Sequence, residues 1–358
     1  MKITFILPSY PRKPVGGYKI VYEYANHLTE RGHSVNVVHP RKVKNLNPLV
    51  YVKGKLINYT LCFYRRFIKP KPNWQFINPK VRLFYIPEPL PRYLPQADVI
   101  FATSWAIAKY MYSYPESKGK KCYLFQHYET WSGPKEKVDA TWKSSFYKIV
   151  VSKWLYMIGL SLGAENMFYI PNGIDFNLFK VLNPIEKRAP LISMMYSKIS
   201  WKGAKEGIKA LNLVKKEFPF LKAIFFGVGK RGREIPEWIE YRENPSQKNL
   251  VKEIYNKSSI FLCPSHKEGF ALPPAEAMAS GCAVVTADCG GVRDFARDKV
   301  TALVSPAKDT YSLAENILKL LNNDRLRIKI ARNGHRFIQE FNWKKSTDLF
   351  EDFLKKIN

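Results

Sequence analysis

Uninterrupted apolar runs recur along this chain, separated by stretches of helical period or by glycine-rich turns. Ile3 to Leu7 is such a run, and Val35 to Val38, Asp98 to Ala102, Lys121 to Gln126, Ile149 to Ser152 and Met167 to Ile170 read as further strands of the first half. A half-buried strand would alternate, whereas a continuous run suits a strand covered on both faces. Between the first two runs, Tyr18, Val21, Tyr22, Ala25 and Leu28 recur at helical spacing after Gly16-Gly17, and Gly32 stops that helix. The second half repeats the rhythm. Strands are expected over Leu191–Tyr196, Lys222–Phe226, Ile260–Cys263 and Ala283–Thr286, and helices over Ala204–Phe218, Gln247–Asn256 and Pro274–Ser280. Such alternation gives parallel sheets with right-handed crossovers. Leu182–Pro190, polar and bounded by prolines, reads as the linker between two domains, and 358 residues suit that number. The expected architecture is α/β, with two β/α/β domains facing across a cleft. Ligands in such sheets bind beyond the carboxyl ends of the strands.

Fifty-eight basic residues stand against 30 acidic ones, a net charge of +28. Small neutral substrates do not require that excess. It points to an anionic partner: nucleic acid, a membrane surface or phosphorylated substrates. Between Arg31 and Pro87 there are twelve basic residues and no acid. Within that stretch, Lys53, Lys55, Arg65 and Arg66 stand beside Phe63, Tyr64 and Phe67, flanking a short apolar run. The pattern suits a membrane interface first. A solvated basic face of an inserted hairpin or helix ranks second, and nucleic acid stacked on the aromatics third. The five cysteines, Cys62, Cys122, Cys263, Cys282 and Cys289, include no C-x-x-C pair. They fit a reducing cytoplasm rather than a disulfide framework or a zinc site. The six histidines show no H-x-x-x-H spacing, and no metal is expected. No apolar run approaches the ~18 residues of a membrane span, and Met1 to Pro8 reads as a first strand rather than a leader.

The most informative segment is Pro264 to Gly281, which follows a buried strand. It puts Glu268 in a loop and Glu276 in the first turn of a helix opened by Pro273 and Pro274. Backbone amides of Gly269, Phe270, Ala271 and Leu272 in such a loop can meet an anion, and the two carboxylates can accept from sugar hydroxyls. An acid in a first helical turn also simply complements the helix dipole. It is the pair, with Gly269 and the prolines between, that favours function. Gly227-Val-Gly-Lys-Arg-Gly232 is a literal G-x-G-x-x-G, but no apolar helical period begins inside it. It reads as a glycine loop lining a nucleotide cleft rather than a nicotinamide site.

The E-x7-E segment resembles the donor-binding signature of family-4 retaining glycosyltransferases of the GT-B fold, which has two Rossmann-like domains. Gly16-Gly17-Tyr18, Ile170-Pro-Asn-Gly-Ile-Asp175, Trp201-Lys202-Gly203 and Gly281-Cys-Ala-Val-Val-Thr with Gly290-Gly291 match further stretches of that family in order. The resemblance implies a metal-independent hexosyl transfer from a nucleoside diphosphate sugar to a glycan or lipid-linked acceptor. It assigns Glu276 to the ribose hydroxyls, Glu268 to the transferred sugar and Lys202 to the diphosphate. Gly16 and Gly17 would let the backbone approach the ligand, and His127 would take the place of the family's cleft histidine. Two departures stand out. The family's arginine about five residues before the lysine is Ser197 here; Lys198 beside it is kept among the donor-binding candidates but would point to the other face of a continuing strand, so Arg231 or Lys230 becomes the candidate second cation. Ala271 replaces a common glycine, read as a minor change.

The domain plan expected is 1–180 for the acceptor domain, with a basic aromatic insertion at about 41–82, and 181–340 for the donor domain. Residues 341–358 form a final helix returning to the first domain. An anionic membrane surface is the expected address, on its cytoplasmic face. A sugar-nucleotide epimerase of the same fold and a nucleic-acid-binding or -modifying protein are the alternatives.

Overall fold

The computed structural model describes residues 1–41, 43 and 72–358. Lys53, Lys55, Phe63, Tyr64, Arg65, Arg66 and Phe67 lie outside the described residues. The chain divides into two units. The first comprises Met1–Val151, Leu155–Ile170 and Thr347–Asn358; the second comprises Ser152–Trp154 and Pro171–Ser346.

The first unit is built on β1 (Lys2–Ile6), β2 (Ser34–Pro40), β3 (Arg82–Ile86), β4 (Val99–Ala102), β5 (Lys120–Phe125), β6 (Tyr147–Val150) and β7 (Met167–Tyr169). All pair in parallel, in the order β3-β2-β1-β4-β5-β6-β7. Successive residues of β4 are all buried, so both faces of the sheet are covered, and this produces the continuous apolar runs. Helix Gly16–Glu30 buries Ile20, Val21, Tyr24, Ala25 and Leu28. From Thr347 the last helix, Trp343–Ile357, belongs to this unit. Its Phe350 ring lies 5.2 Å from Phe101 and 6.1 Å from Phe5, and Asp348 pairs with Arg31 at 2.6 Å.

The second unit contains β8 (Leu191–Met195), β9 (Lys222–Gly227), β10 (Ile239–Glu243), β11 (Ile260–Cys263), β12 (Ala283–Ala287) and β13 (Leu303–Ser305). They pair in parallel as β10-β9-β8-β11-β12-β13, the doubly wound order with its reversal between β8 and β11. The two parallel α/β sheets match the expected fold class.

The division between units falls at Ile170/Pro171 rather than after Lys180. Residues 171–180 are tied into the second unit: Ile174 N donates to Phe341 O at 2.8 Å, and Asn256 Nδ2 to Lys180 O at 3.0 Å. Residues 341–346 stay there too, with Ser346 Oγ donating to Pro171 O at 2.7 Å. Leu182–Pro190 is mostly exposed but is anchored at two points, Ile185 and Arg188. Arg188 is buried and donates to the carbonyls of Asn183, Tyr255, Ser258 and Ser280. Gln247–Asn256 begins as an α-turn and continues as a π-helix over Leu250–Tyr255.

Candidate functional site

Neighbouring strands whose connections run to opposite sides leave a crevice at their carboxyl ends. In the second unit those strands are β8 and β11, and they carry Lys202 and Glu268 on the loops that follow. Lys202 ends a 3-10 turn, Ser200–Lys202. The next residue, Gly203, has φ +67°, and a methyl there would collide with the Pro264 carbonyl. Glycine therefore lets the turn press against the β11 loop, and His266 N donates to Trp201 O at 2.7 Å. His266 Nε2 also lies 3.3 Å from Glu206 Oε2.

The result is a two-pronged ion pair: Lys202 Nζ lies 2.7 Å from Glu268 Oε1 and 2.8 Å from Oε2. The carboxylate side chain is 9% exposed and the ammonium side chain 21%. Glu268 is held from behind as well. Its N–H donates to Cys289 O at 2.8 Å, and Gly291 N donates to Glu268 O at 3.1 Å. A methyl on Gly291 would strike the Gly269 carbonyl, which accounts for the second glycine of the Gly290-Gly291 turn.

Helix Leu272–Ala279 follows, with Glu276 buried and the Tyr255 hydroxyl 3.5 Å from its Oε2. Burial, then the nearby Glu276 charge, raises the Tyr255 hydroxyl far above its ordinary range. Pro273 and Pro274 have no N–H, so amides for an anion here come from Gly269 to Leu272. Ala271, at the helix start, has φ 69° and ψ 68°. Its methyl is therefore not the minor change expected of it, because it occupies a left-handed conformation that suits glycine.

Arg231 is not free to act as a second phosphate cation: it donates to the carbonyls of Ile239 (2.7 Å), Ile235 (3.1 Å) and Pro236 (2.7 Å), bracing its own loop. Lys198 is exposed beside Glu234. Gly227 ends β9 against the Tyr196 carbonyl. No helix begins within 227–232, in line with the rejection of a nicotinamide loop. In the first unit, Gly16 and Gly17 open helix Gly16–Glu30, and Gln126 Nε2 donates to Gly17 O at 3.0 Å. That bond sets the glycine turn beside the end of β5, where His127 follows with Nδ1 3.1 Å from Tyr128 O.

Three charged residues escaped the sequence reading. Glu129 Oε2 accepts from Trp105 N at 2.7 Å and Tyr123 OH at 2.9 Å, and burial pushes its carboxyl up to about 7. Lys148 is fully buried and donates to the carbonyls of Ser144, Phe146 and Glu165, with burial lowering its ammonium to about 8. Arg188 is the third. The signal for Lys148 was present: a lone cation inside an apolar strand.

Residues 177–337 match the family model described as glycosyl transferases group 1. The chain is 29% identical over 184 residues to the N,N'-diacetylbacillosaminyl-diphospho-undecaprenol alpha-1,3-N-acetylgalactosaminyltransferase of Campylobacter jejuni, covering 49% of this chain and 47% of the relative. It spans about half the length, or less, of the first curated relatives it matches. Among solved structures, sucrose-phosphate synthase from Thermosynechococcus elongatus aligns over 99% of this chain and 98% of its own, at TM-score 0.74 and 16% identity. Anabaena Alr3699/HepE in complex with UDP-glucose aligns over 99% and 100%, at TM-score 0.72 and 16% identity. These likenesses establish the fold. The family model and the relatives support a place among the group 1 glycosyltransferases.

Proposed function

We propose that this chain is a retaining glycosyltransferase that moves a hexosyl group from a nucleoside diphosphate sugar to a hydroxyl of a glycan or lipid-linked acceptor. The observation that carries the reading is the Lys202–Glu268 pair, at the point of the second sheet where strand order reverses. Breaking the sugar–phosphate bond leaves charge on the departing diphosphate, and a fixed cation with loop amides stabilises it. Lys202 is held within reach by the Gly203 turn, and a diphosphate competes with Glu268 for its ammonium. Glu268, so released, accepts from hydroxyls of the sugar. Glu276 takes the ribose, and His127 of the first unit meets the sugar or acceptor.

No metal enters this scheme, since Lys202 supplies the positive charge. The relative from Campylobacter names a lipid-linked substrate, which supports an acceptor presented at a membrane. The UDP-glucose bound in the Anabaena protein makes uridine diphosphate sugars the first donors to test. The basic residues Lys53 to Phe67 remain part of the proposal as membrane contacts. The test is Glu268→Ala: transfer should fall to background with folding intact, and undiminished turnover would refute the assignment.

A further inference from the structure

Helix Asp324–Ile338 of the second unit sorts its cations by face. Arg327 is buried, pairs with Asp324 at 2.8 Å and donates to the Ile185 carbonyl. Arg325, Lys329, Arg332 and Arg336 are all exposed. They follow at steps of four, three and four residues, so they form one stripe on the helix surface. At about 1.5 Å per residue the stripe is about 16 Å long. With Glu186, Ile328 and Asn333, these four residues line a surface groove of about 420 Å³. Glu186 pairs with Arg332 at 2.6 Å. Among the described residues, the other three cations have no carboxylate within ion-pair distance. Only Arg336, in the last turn, has the helix dipole to complement.

We propose that this stripe is a docking surface for an anionic lipid bilayer. A row of long, exposed cationic side chains along one helix meets a plane of phosphates, each able to pair with one head. The aliphatic stems of these side chains meanwhile face the headgroup layer. The groove has no aromatic side chain on which bases would stack, so a nucleic acid strand fits it less well. The surface is separate from the Lys53–Phe67 stretch. It rests on the transferase reading only for its purpose, which is bringing the enzyme to a lipid-linked acceptor.

The test is co-sedimentation of the full chain with vesicles of phosphatidylglycerol and phosphatidylcholine, against pure phosphatidylcholine. The parent should bind the anionic vesicles selectively. The triple variant Arg325→Gln/Lys329→Gln/Arg336→Gln should lose affinity on the order of 100-fold, about fivefold per cation. Thermal unfolding is followed alongside, and Arg336→Gln alone, with an expected loss of about fivefold, serves if the triple variant misfolds. The proposal is overturned by a parent that ignores anionic vesicles or by variants that bind as the parent does. A stripe-dependent affinity for poly(U) without vesicle binding overturns it as well. The assay reads no transfer, so this outcome and that of Glu268→Ala are independent.

Discussion

Ala271 holds a left-handed backbone at the head of the helix that carries Glu276, a conformation costing an L-residue about 1–2 kcal/mol. Strain of this kind persists where surrounding structure fixes the loop, and here Glu268 is bonded on both backbone sides. Ala271→Gly should therefore raise stability by roughly 0.5–1 kcal/mol, after allowing for the freer unfolded chain. A higher urea midpoint checks this, and a lower one contradicts it. Glu129 carries a pH-dependent consequence. Its carboxyl titrates near 7 in the folded protein against 4.5 ordinarily, so the folded state holds the proton more tightly. That contribution is complete below about 4.5 and is lost as pH rises toward 7. Glu129→Gln keeps an oxygen for Trp105 N and Tyr123 OH. Its stability relative to the parent should grow between pH 5 and pH 8 in denaturant titrations. A constant difference across that range would contradict the assignment.

At the level of elements, the buried strands were legible because burial on both faces writes itself as unbroken apolar sequence. β3, β10 and β13 were not. β10, Ile-Glu-Tyr-Arg-Glu, has only Ile239 buried and sits at a sheet edge; β13 has three residues. The Lys202 and Glu268 loops were found from their residue types, but not their pairing, because it depends on a crossover that sets β8 beside β11. Arg188 lies in a mostly exposed polar stretch bounded by prolines, so nothing in the sequence singles it out as buried. Its guanidinium gathers carbonyls at the ends of two helical segments, Leu250–Tyr255 and Leu272–Ala279. Negative helix ends favour a cation there, and no acid is needed. Arg188→Met should strip several buried carbonyls of their donor at once and destabilise by about 3 kcal/mol or more. Arg188→Lys should rescue little of this, because an ammonium cannot span the same fork. Chemical denaturation of both variants decides it; a loss under about 1 kcal/mol for the methionine variant would show the network to be dispensable.

Across the whole molecule, the residues proposed for the transfer fall in both units. Lys202, Glu268 and Glu276 belong to the second unit, and His127, Gly16 and Gly17 to the first. Of the +28 charge, the proposed transfer calls on Lys202 at the Glu268 loop. The excess is more than the proposed chemistry requires. The central claim is that Lys202 meets the donor diphosphate. Calorimetric titration with uridine diphosphate tests it most directly, comparing the parent chain with Lys202→Gln. The parent should bind, and the variant should bind roughly ten- to hundredfold more weakly, the value of hydrogen bonds to a charged group. A parent that binds no uridine diphosphate, or a variant that binds it equally well, would show that Lys202 does not hold the diphosphate.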